Sequence, residues 1–337
     1  MVELTEQTKD GAAKVVFMIV VFIAATATRG DWLLFVVYLS KSQWQTLIDT
    51  SSLNEVANVS VSSEDVGVLE RWKLQNLPLF LLLAVTSSFV MYYGVAFGFM
   101  WFFYINRRDK AHEWKCQPTK FLTPSNERHE ILLGSSNMLF GSMVSGVIAC
   151  YITNGGYSKM YYGLSDYGWS YLPLSAFAMF MYNDSLAYYL HRLFHNPFLY
   201  RHIHKVHHRY HQPTAFSAVA MHPAEFVLYQ GYLAAIPFMV PIHPAVFVTV
   251  LLYTYYYGLM DHSGVKMDAF WPWQPPSQFH DNHHKYFHVN FGFNSYLFDW
   301  LHDTIDKPNR EYAEDIFGGF GRPKTESKAK AKSLKMS

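Results

Sequence analysis

The chain reads as all-α: a polytopic membrane protein of about four spans plus a helical hairpin, with a cytosolic helical cap carrying a histidine-rich site for two metals. Three observations predict this. Only 16% of the 337 residues are charged, against 50% apolar and 18% aromatic, whereas a soluble domain carries about 25% charged residues. The deficit is uneven, because long uncharged runs alternate with short charged ones, as in a chain that crosses a bilayer repeatedly. Finally, fifteen of the seventeen histidines fall between His191 and His302. Net charge is only +1, which gives no general case for nucleic acid.

The elements follow in order. An apolar run over 15–40 is interrupted by Arg29 and Asp31. It reads either as one span with a paired charge near its end or as a shorter helix plus an interfacial segment; no small-residue cleavage site of a signal sequence stands out. Residues 41–73 then form a luminal loop containing Asn58-Val59-Ser60, a glycosylation acceptor pattern. Between Lys73 and Arg107 stand 33 consecutive uncharged residues, with the helix expected over 77–105. It ends in the aromatic belt Trp101 to Tyr104, followed by Arg107, Arg108 and Lys110, which places that end in the cytosol. A third span over 131–151 is rich in Gly and Ser, as closely packed membrane helices are, and Asn154-Gly155-Gly156 breaks it. A fourth over 170–190 turns polar at Asn183 and Asp184. The 35 uncharged residues 226–260, split by Pro237, Pro241 and Pro244, are too short for two full spans and read as a hairpin crossing part of the bilayer. The final residues, from Arg322 on, are basic and read as a disordered tail that touches anionic lipid.

The histidines form three boxes: His191-Arg-Leu-Phe-His195, His204-Lys-Val-His207-His208 and His280-Asp-Asn-His283-His284. Packed together without a metal, eight imidazoles would take many ring nitrogens out of water, each needing a partner. A divalent ion takes about four to six ligands, so eight suggest two ions. His191 and His195, at i and i+4, share a helix face. Asp184 lies two turns earlier on that face, as an acceptor for the outer N–H of a ligand histidine or, in the blander reading, as a polar packing residue. The spacing puts His207 on the face of His204, with His208 as its i+4 neighbour, and the third box repeats the pattern. One H-x-x-H-H arises by accident on a surface helix; two copies plus an H-x-x-x-H, each beside a span, do not. His222 and His262 stand alone near spans, as further ligands or as structural residues. His202, His211, His288 and His302 are expected at the surface or behind the ligands.

Cys116 and Cys150 cannot supply a thiolate site, so the metal chemistry rests on nitrogen and oxygen. A structural zinc needs only four ligands. A redox metal held by many neutral nitrogens next to a membrane suits activation of dioxygen against a buried C–H bond. With no dinucleotide fingerprint and no haem attachment motif in the sequence, the electrons are expected from another protein. The hairpin and the aromatic run Tyr253 to Tyr257 line a lipid pocket in this reading, or form an interfacial belt. Two other classes remain: a non-catalytic, metal-holding sterol-binding membrane protein, and a metal transporter, for which the spans offer few ionisable residues.

The boxes, in the order HRLFH, HKVHH, HPAE and FHDNHHKYFHVNFG, resemble the fatty acid hydroxylase / sterol desaturase superfamily over about 183–304. Within it, PPSQFHDNHHKYFHVNFG is most similar to C4-methylsterol oxidases and to fatty acid hydroxylase domain-containing proteins. The resemblance divides the chain into an N-terminal membrane region (1–130, with the luminal loop 41–73), a catalytic fatty acid hydroxylase-type domain (131–304) and a basic tail (305–337). It implies a multi-pass endoplasmic-reticulum membrane protein with cytosolic boxes and a di-iron centre of two Fe. It also implies a sterol or other lipid substrate that is hydroxylated or oxidised at a C4-methyl group, O2, and electrons from NAD(P)H through cytochrome b5 or its reductase system. The ligands it implies are His191, His195, His204, His207, His208, His280, His283 and His284, with His222 and His262 where the family often has further histidines. Two departures stand out. C4-methylsterol oxidases read H-H-E after the second box, whereas Arg209 follows His208 here, and Pro213-Thr214 before Phe216 is closer to the sterol C5-desaturase pattern. A sterol or fatty-acyl desaturase of the same superfamily is therefore the alternative.

Overall fold

A computed structural model describes residues 63–324. The apolar run 15–40, the Asn58 acceptor pattern and the end of the tail lie outside the described residues. The described chain is mostly helical. Its elements are α1 (Ser63–Arg71), α2 (Leu77–Phe99, continued by a π-helical turn Met100–Ile105), the short α3 (Ala111–Trp114), α4 (Pro124–Thr153), α5 (Tyr171–Phe194) and α6 (Pro197–His202). Two 3₁₀ turns follow, His204–Arg209 and Ala215–Val219, then α7 (Pro223–Met239), α8 (Pro244–His262), α9 (Ser277–Tyr286) and α10 (Leu297–Leu301). The one sheet among these residues is a two-stranded antiparallel ribbon, β1 (Arg310–Glu311) with β2 (Arg322–Pro323).

Among the described residues, two helices are long and apolar enough to cross a membrane, Leu77–Ile105 and Pro124–Thr153. The first coincides with the span expected from its uncharged run. The other expected crossings fall on α5, whose second half carries Asn183, Asp184, His191 and Arg192, and on the pair α7 and α8, of 17 and 19 residues. The pair is divided where the prolines predict it, between Met239 and Pro244, while Pro237 stays inside α7.

The chain divides into two compact units. One comprises residues up to Val95, Met138–Met179 and Gly231–Tyr256; the other comprises Ala96–Asn137, Phe180–Gln230 and the residues from Tyr257 on. In the first unit a Cβ at Gly146 of α4 would meet the Phe80 carbonyl oxygen and the Ala84 Cβ of α2, each at 3.2 Å. The small residue thus lets two apolar helices approach backbone to side chain. Helix α4 stops in a Schellman motif: Gly155 adopts φ +77°, its N–H donates to the Ile152 carbonyl, and that of Gly156 donates to the Tyr151 carbonyl. Asn154 and Cys150 both reach the Gln75 carbonyl, at 3.0 and 3.2 Å.

The second unit holds every box histidine. Its loops are tied down by buried carboxylates. Glu130 of α4, 0% exposed, accepts from Thr214 Oγ1 at 2.7 Å and from the Ser217 hydroxyl. Those two residues cap the second 3₁₀ turn through a reciprocal capping box. Asp299 of α10 accepts from the N–H of Phe291 (2.9 Å), the N–H of Gly292 (2.6 Å) and the Thr304 hydroxyl (2.6 Å), which fixes the segment after α9. That segment leaves α9 through Phe287 at φ +72°. A left-handed phenylalanine is strained, and it turns the chain back across the histidines.

Candidate metal centre

The first box ends helix α5, with the His195 N–H on the His191 carbonyl at 3.1 Å. Asn196 then caps α6, its side chain accepting from the Phe198 N–H, with Pro197 at the first helical position. The second box is a 3₁₀ turn and not the α-helix its spacing suggests. Within it His208 joins His204, their ring centroids 4.7 Å apart, and His207 enters the other group. The third box is α-helical, and its i, i+4 pair His280 and His284 stays together while His283 faces the other way.

The histidines assemble into two groups. His191, His195, His204, His208 and His283 bring one nitrogen each to within 4.8 Å of one another, and so do His207, His262, His280 and His284. None of these nine side chains is more than 4% exposed. His262, at the end of α8, enters the second group. His222 enters neither: it is half-buried, and its Nδ1 accepts from the Ala224 N–H at 3.2 Å at the start of α7.

The outer ring nitrogens show which atoms face inward. His191 Nδ1 donates to the Phe291 carbonyl at 2.7 Å and His283 Nδ1 to the Val289 carbonyl at 2.6 Å. In the second group His207 Nδ1 donates to the Ala220 carbonyl (3.2 Å) and His262 Nδ1 to the Gly258 carbonyl (2.7 Å). His204 Nδ1 donates to Glu225 Oε1 at 2.7 Å. His288 passes its own Nε2–H to the Glu314 carbonyl (2.9 Å), so its Nδ1 is the acceptor for His195 Nδ1 at 2.8 Å. Each bond fixes a tautomer whose Nε2 carries a lone pair. Inside each group Nε2 atoms lie close to one another, those of His208 and His280, whose Nδ1 has no partner, included: His208 to His283 at 3.0 Å, His208 to His195 at 3.3 Å, His207 to His262 and His262 to His280 both at 3.1 Å. The inward Nε2 atoms of His191 and His204 make no hydrogen bond at all. Protonation is not the remedy. Burial, reinforced by neighbouring imidazoles, pushes the box histidines down, His204 to about 3 and, with Glu225 opposing, His207 to about 4; His208, His280, His283 and His284 fall well below the usual range for the same first reason. Neutral lone pairs facing at this spacing fit a cation between them, since imidazole nitrogens about 2.0–2.1 Å from one metal stand about 3.0–3.4 Å apart.

The carboxylate behind the ligands is not the one expected. Asp184 accepts from the Asn294 N–H at 3.2 Å and from the Ser295 hydroxyl. It therefore anchors the loop after the third box and touches no histidine of either group, because that loop's donors reach it first. Glu225 and the Glu314 carbonyl do the supporting work. Glu225 had a local signal, the HPAE run, and His288 one in the FHDNHHKYFHVNFG run, where a place at the surface or behind the ligands is expected; Glu314 had none, as it is brought in from a distance. His302 lies at the edge, stacked on Tyr188 with its Nε2 3.1 Å from the Tyr189 hydroxyl, and His202 Nδ1 donates to the Phe198 carbonyl.

Residues 176–304 match the family model described as fatty acid hydroxylase. The chain is 30% identical to Delta(7)-sterol 5(6)-desaturase ERG3B of Gibberella zeae, over 41% of this chain and 43% of that protein. It is 32% identical to lathosterol oxidase of Rattus norvegicus, over 46% and 53%, and 28% identical to Delta(7)-sterol 5(6)-desaturase erg3C of Aspergillus fumigatus, over 62% and 69%. The chain thus spans about half the length of the first two. No solved structure matches. These relatives carry the names of sterol 5(6)-desaturases and lathosterol oxidases, the direction in which Pro213-Thr214 pointed, and not that of C4-methylsterol oxidases.

Proposed function

We propose that this chain, which carries a fatty acid hydroxylase-type region over 176–304, is a membrane-bound di-iron oxidoreductase that oxidises a C–H bond of a sterol or related lipid with O2. The observation that carries the reading is the pair of buried histidine groups whose inward lone pairs face one another. Two irons bound there would supply the activation of dioxygen and the removal of hydrogen from an unactivated carbon. The protein's part is to bury all nine imidazoles and to hold six of them in one tautomer, through Phe291, Val289, Ala220, Gly258, Glu225 and His288. A scaffold that only held a metal for structure would need fewer ligands. In this reading the protein sits in the endoplasmic reticulum membrane with its boxes cytosolic, and its electrons come from NAD(P)H through cytochrome b5.

Hydroxylation and desaturation both begin with the same hydrogen removal. Desaturation of a sterol ring is the reading favoured by the names of the relatives; hydroxylation or C4-methyl oxidation is the reading favoured by the third box. Lipid profiles of cells lacking the protein separate them: sterols that accumulate with a missing ring double bond indicate desaturation, C4-methyl sterols indicate methyl oxidation, and loss of hydroxylated acyl chains indicates a fatty-acyl substrate. His207→Ala and His283→Ala, one from each group, are each expected to abolish the product and to lower the iron content of purified protein. Full lipid oxidation by either variant, or a purified wild-type protein that takes up no iron, sinks the proposal.

A further inference from the structure

An exposed aromatic cluster stands apart from the histidine groups. Between α8 and α9 the chain runs MDAFWPWQPP over 267–276, with Asp268 its one charge. Phe270, Trp271 and Trp273 are 60%, 41% and 47% exposed. The rings of Trp271 and Trp273 stack with centroids 5.3 Å apart and planes 8° apart, and Phe270 packs edge-on to Trp271 at 4.8 Å. Large apolar rings gathered at a surface mark a place where something else covers them.

The loop that presents them is closed at its base and pinned inside. The Ser277 N–H donates to the Met267 carbonyl (3.1 Å), the Met267 N–H to the Ser277 hydroxyl (2.9 Å), and that hydroxyl to the Val265 carbonyl (2.6 Å). The two ends of 267–277 therefore meet, as in an Ω-loop. Inside it the buried Gln274 accepts from the Trp271 N–H through Oε1 at 3.2 Å and donates its own N–H to the Trp271 carbonyl at 3.1 Å. The Tyr296 N–H donates to the Trp273 carbonyl at 3.2 Å, so α10 stands beside the loop, with Trp300 and Leu301 exposed.

The loop is also tied to the end of the long apolar helix. The Lys266 N–H donates to the Trp114 carbonyl (2.6 Å), the Cys116 N–H to the Gly264 carbonyl (2.9 Å) and Lys266 Nζ to the His112 carbonyl (3.1 Å). Trp114 packs on Phe103 and Tyr104, ring centroids 5.3 and 5.0 Å away, and donates its indole N–H to the Arg107 carbonyl at 2.7 Å. Phe103 and Tyr104 belong to the aromatic end of Leu77–Ile105, where Trp101 and Phe102 are exposed as well. Aromatic residues followed by basic ones mark the level of the lipid headgroups, and Trp114 links the loop to that level through one layer of side chains. Tryptophan favours this level because its ring is apolar while its N–H stays in reach of water. We propose that the loop carrying Phe270, Trp271 and Trp273 is a second membrane attachment, an interfacial anchor seated at the headgroup–acyl boundary on the side where Leu77–Ile105 ends. The scarcity of charge on it fits a neutral lipid surface, whereas anionic lipid attracts clustered lysines and arginines. The anchor rests on the reading of Leu77–Ile105 as a membrane span and is independent of the oxidoreductase chemistry. The loop runs straight into α9, which carries His280 in its first turn, so the anchor sets the depth of the second histidine group.

The tryptophans report their own surroundings. With the full chain in lipid nanodiscs, the emission that Trp271→Phe/Trp273→Phe loses relative to wild type isolates the pair from the rest of the nine tryptophans. Lipid brominated on the upper acyl chain is expected to quench most of that difference emission, and aqueous iodide little of it. Trp101→Phe, at the end of the long helix, supplies the reference. Bromolipid quenching of the Trp101 emission, with iodide quenching of the pair, overturns the anchor and leaves the span reading intact. Iodide quenching of both sinks the span reading and the anchor with it. A pair shielded from both quenchers is covered by protein, a second copy of the chain included, and also overturns the anchor. The variants keep an apolar ring at exposed positions, so they are expected to melt and to take up iron like wild type.

Discussion

The outer nitrogen of His204 donates to Glu225 across 2.7 Å, and both side chains are 1% exposed. Partners of this kind orient a ligand imidazole and raise its basicity, and their loss typically costs 10–100-fold in metal affinity. Glu225→Ala is therefore expected to weaken metal binding by about that factor in a titration of metal-free protein, and Glu225→Gln, which keeps an acceptor oxygen, by much less; equal affinities in all three proteins would remove Glu225 from the site. The histidines make a second prediction through their protons. His204 and His207 are pushed to about 3 and about 4 in the folded protein, mainly by burial, against about 6.5 in an unfolded chain. Above pH 6.5 both states are neutral and the shift has no effect. Below it the unfolded chain takes up protons that the folded chain refuses, so stability falls by about 1.4 kcal/mol per pH unit for each such histidine until the folded pKa is reached. The melting temperature of metal-free protein should drop steeply between pH 6.5 and 5 and hardly at all between 8 and 7; a flat profile below 6.5 would show that these rings are not buried neutral. Asp184 illustrates a limit at this scale. Its place two turns before His191 identified a buried carboxylate, and only the arrival of Asn294 and Ser295 decided what it binds.

Among the elements, α2 was the most legible. A run of 33 uncharged residues ending in aromatic and then basic residues has one low-energy form in a bilayer, a helix that satisfies its own backbone, and the helix occupies Leu77–Ile105. The end of α4 was legible for a similar reason, since Gly155 at φ +77° costs nothing to a residue without a Cβ. The packing of α2 on α4 was not, although Gly146 was visible in the Gly- and Ser-rich run. Gly146→Leu would place its side chain where the Phe80 carbonyl and Ala84 already stand at 3.2 Å from the first added carbon. It is expected to destabilise the helix pair by about 1–3 kcal/mol, read as a lower melting temperature in detergent, with Gly146→Ala much milder; a Leu variant that melts like wild type would show that the helices do not pack here. The second histidine box was legible as a single turn but not in its form. Its spacing fits an α-helix, but the six residues His204–Arg209 form a 3₁₀ turn, and a segment that short takes its form from its neighbours and not from its own propensity.

For the molecule as a whole, the two groups draw on four separate stretches of chain: the end of α5, the 3₁₀ turn, the end of α8 and helix α9. Metal held there would cross-link them all, and a ligand that binds only the folded state stabilises it by mass action, about 4 kcal/mol at a thousandfold excess over Kd. Stripping metal with a chelator is expected to lower the melting temperature, and adding ferrous iron back is expected to restore it; a chelator without effect on either melting or metal content would show that the groups hold no ion.

Composition and spacing were enough for the helical class, the helix Leu77–Ile105 and the identity of eight of the nine grouped histidines, because uncharged length and residue spacing are local properties of the chain. It took the folded chain to settle that His262 joins them and His222 does not, that His208 pairs with His204 while His207 goes to the other group, that Glu225 stands behind the ligands where Asp184 is expected, and that His288 stands behind them and not at the surface. The physical reason is that an imidazole's function depends on what each of its two nitrogens meets. Those partners, such as Phe291 for His191 and Glu314 for His288, lie far along the chain and are delivered by turns, like the left-handed one at Phe287, whose course no local pattern encodes.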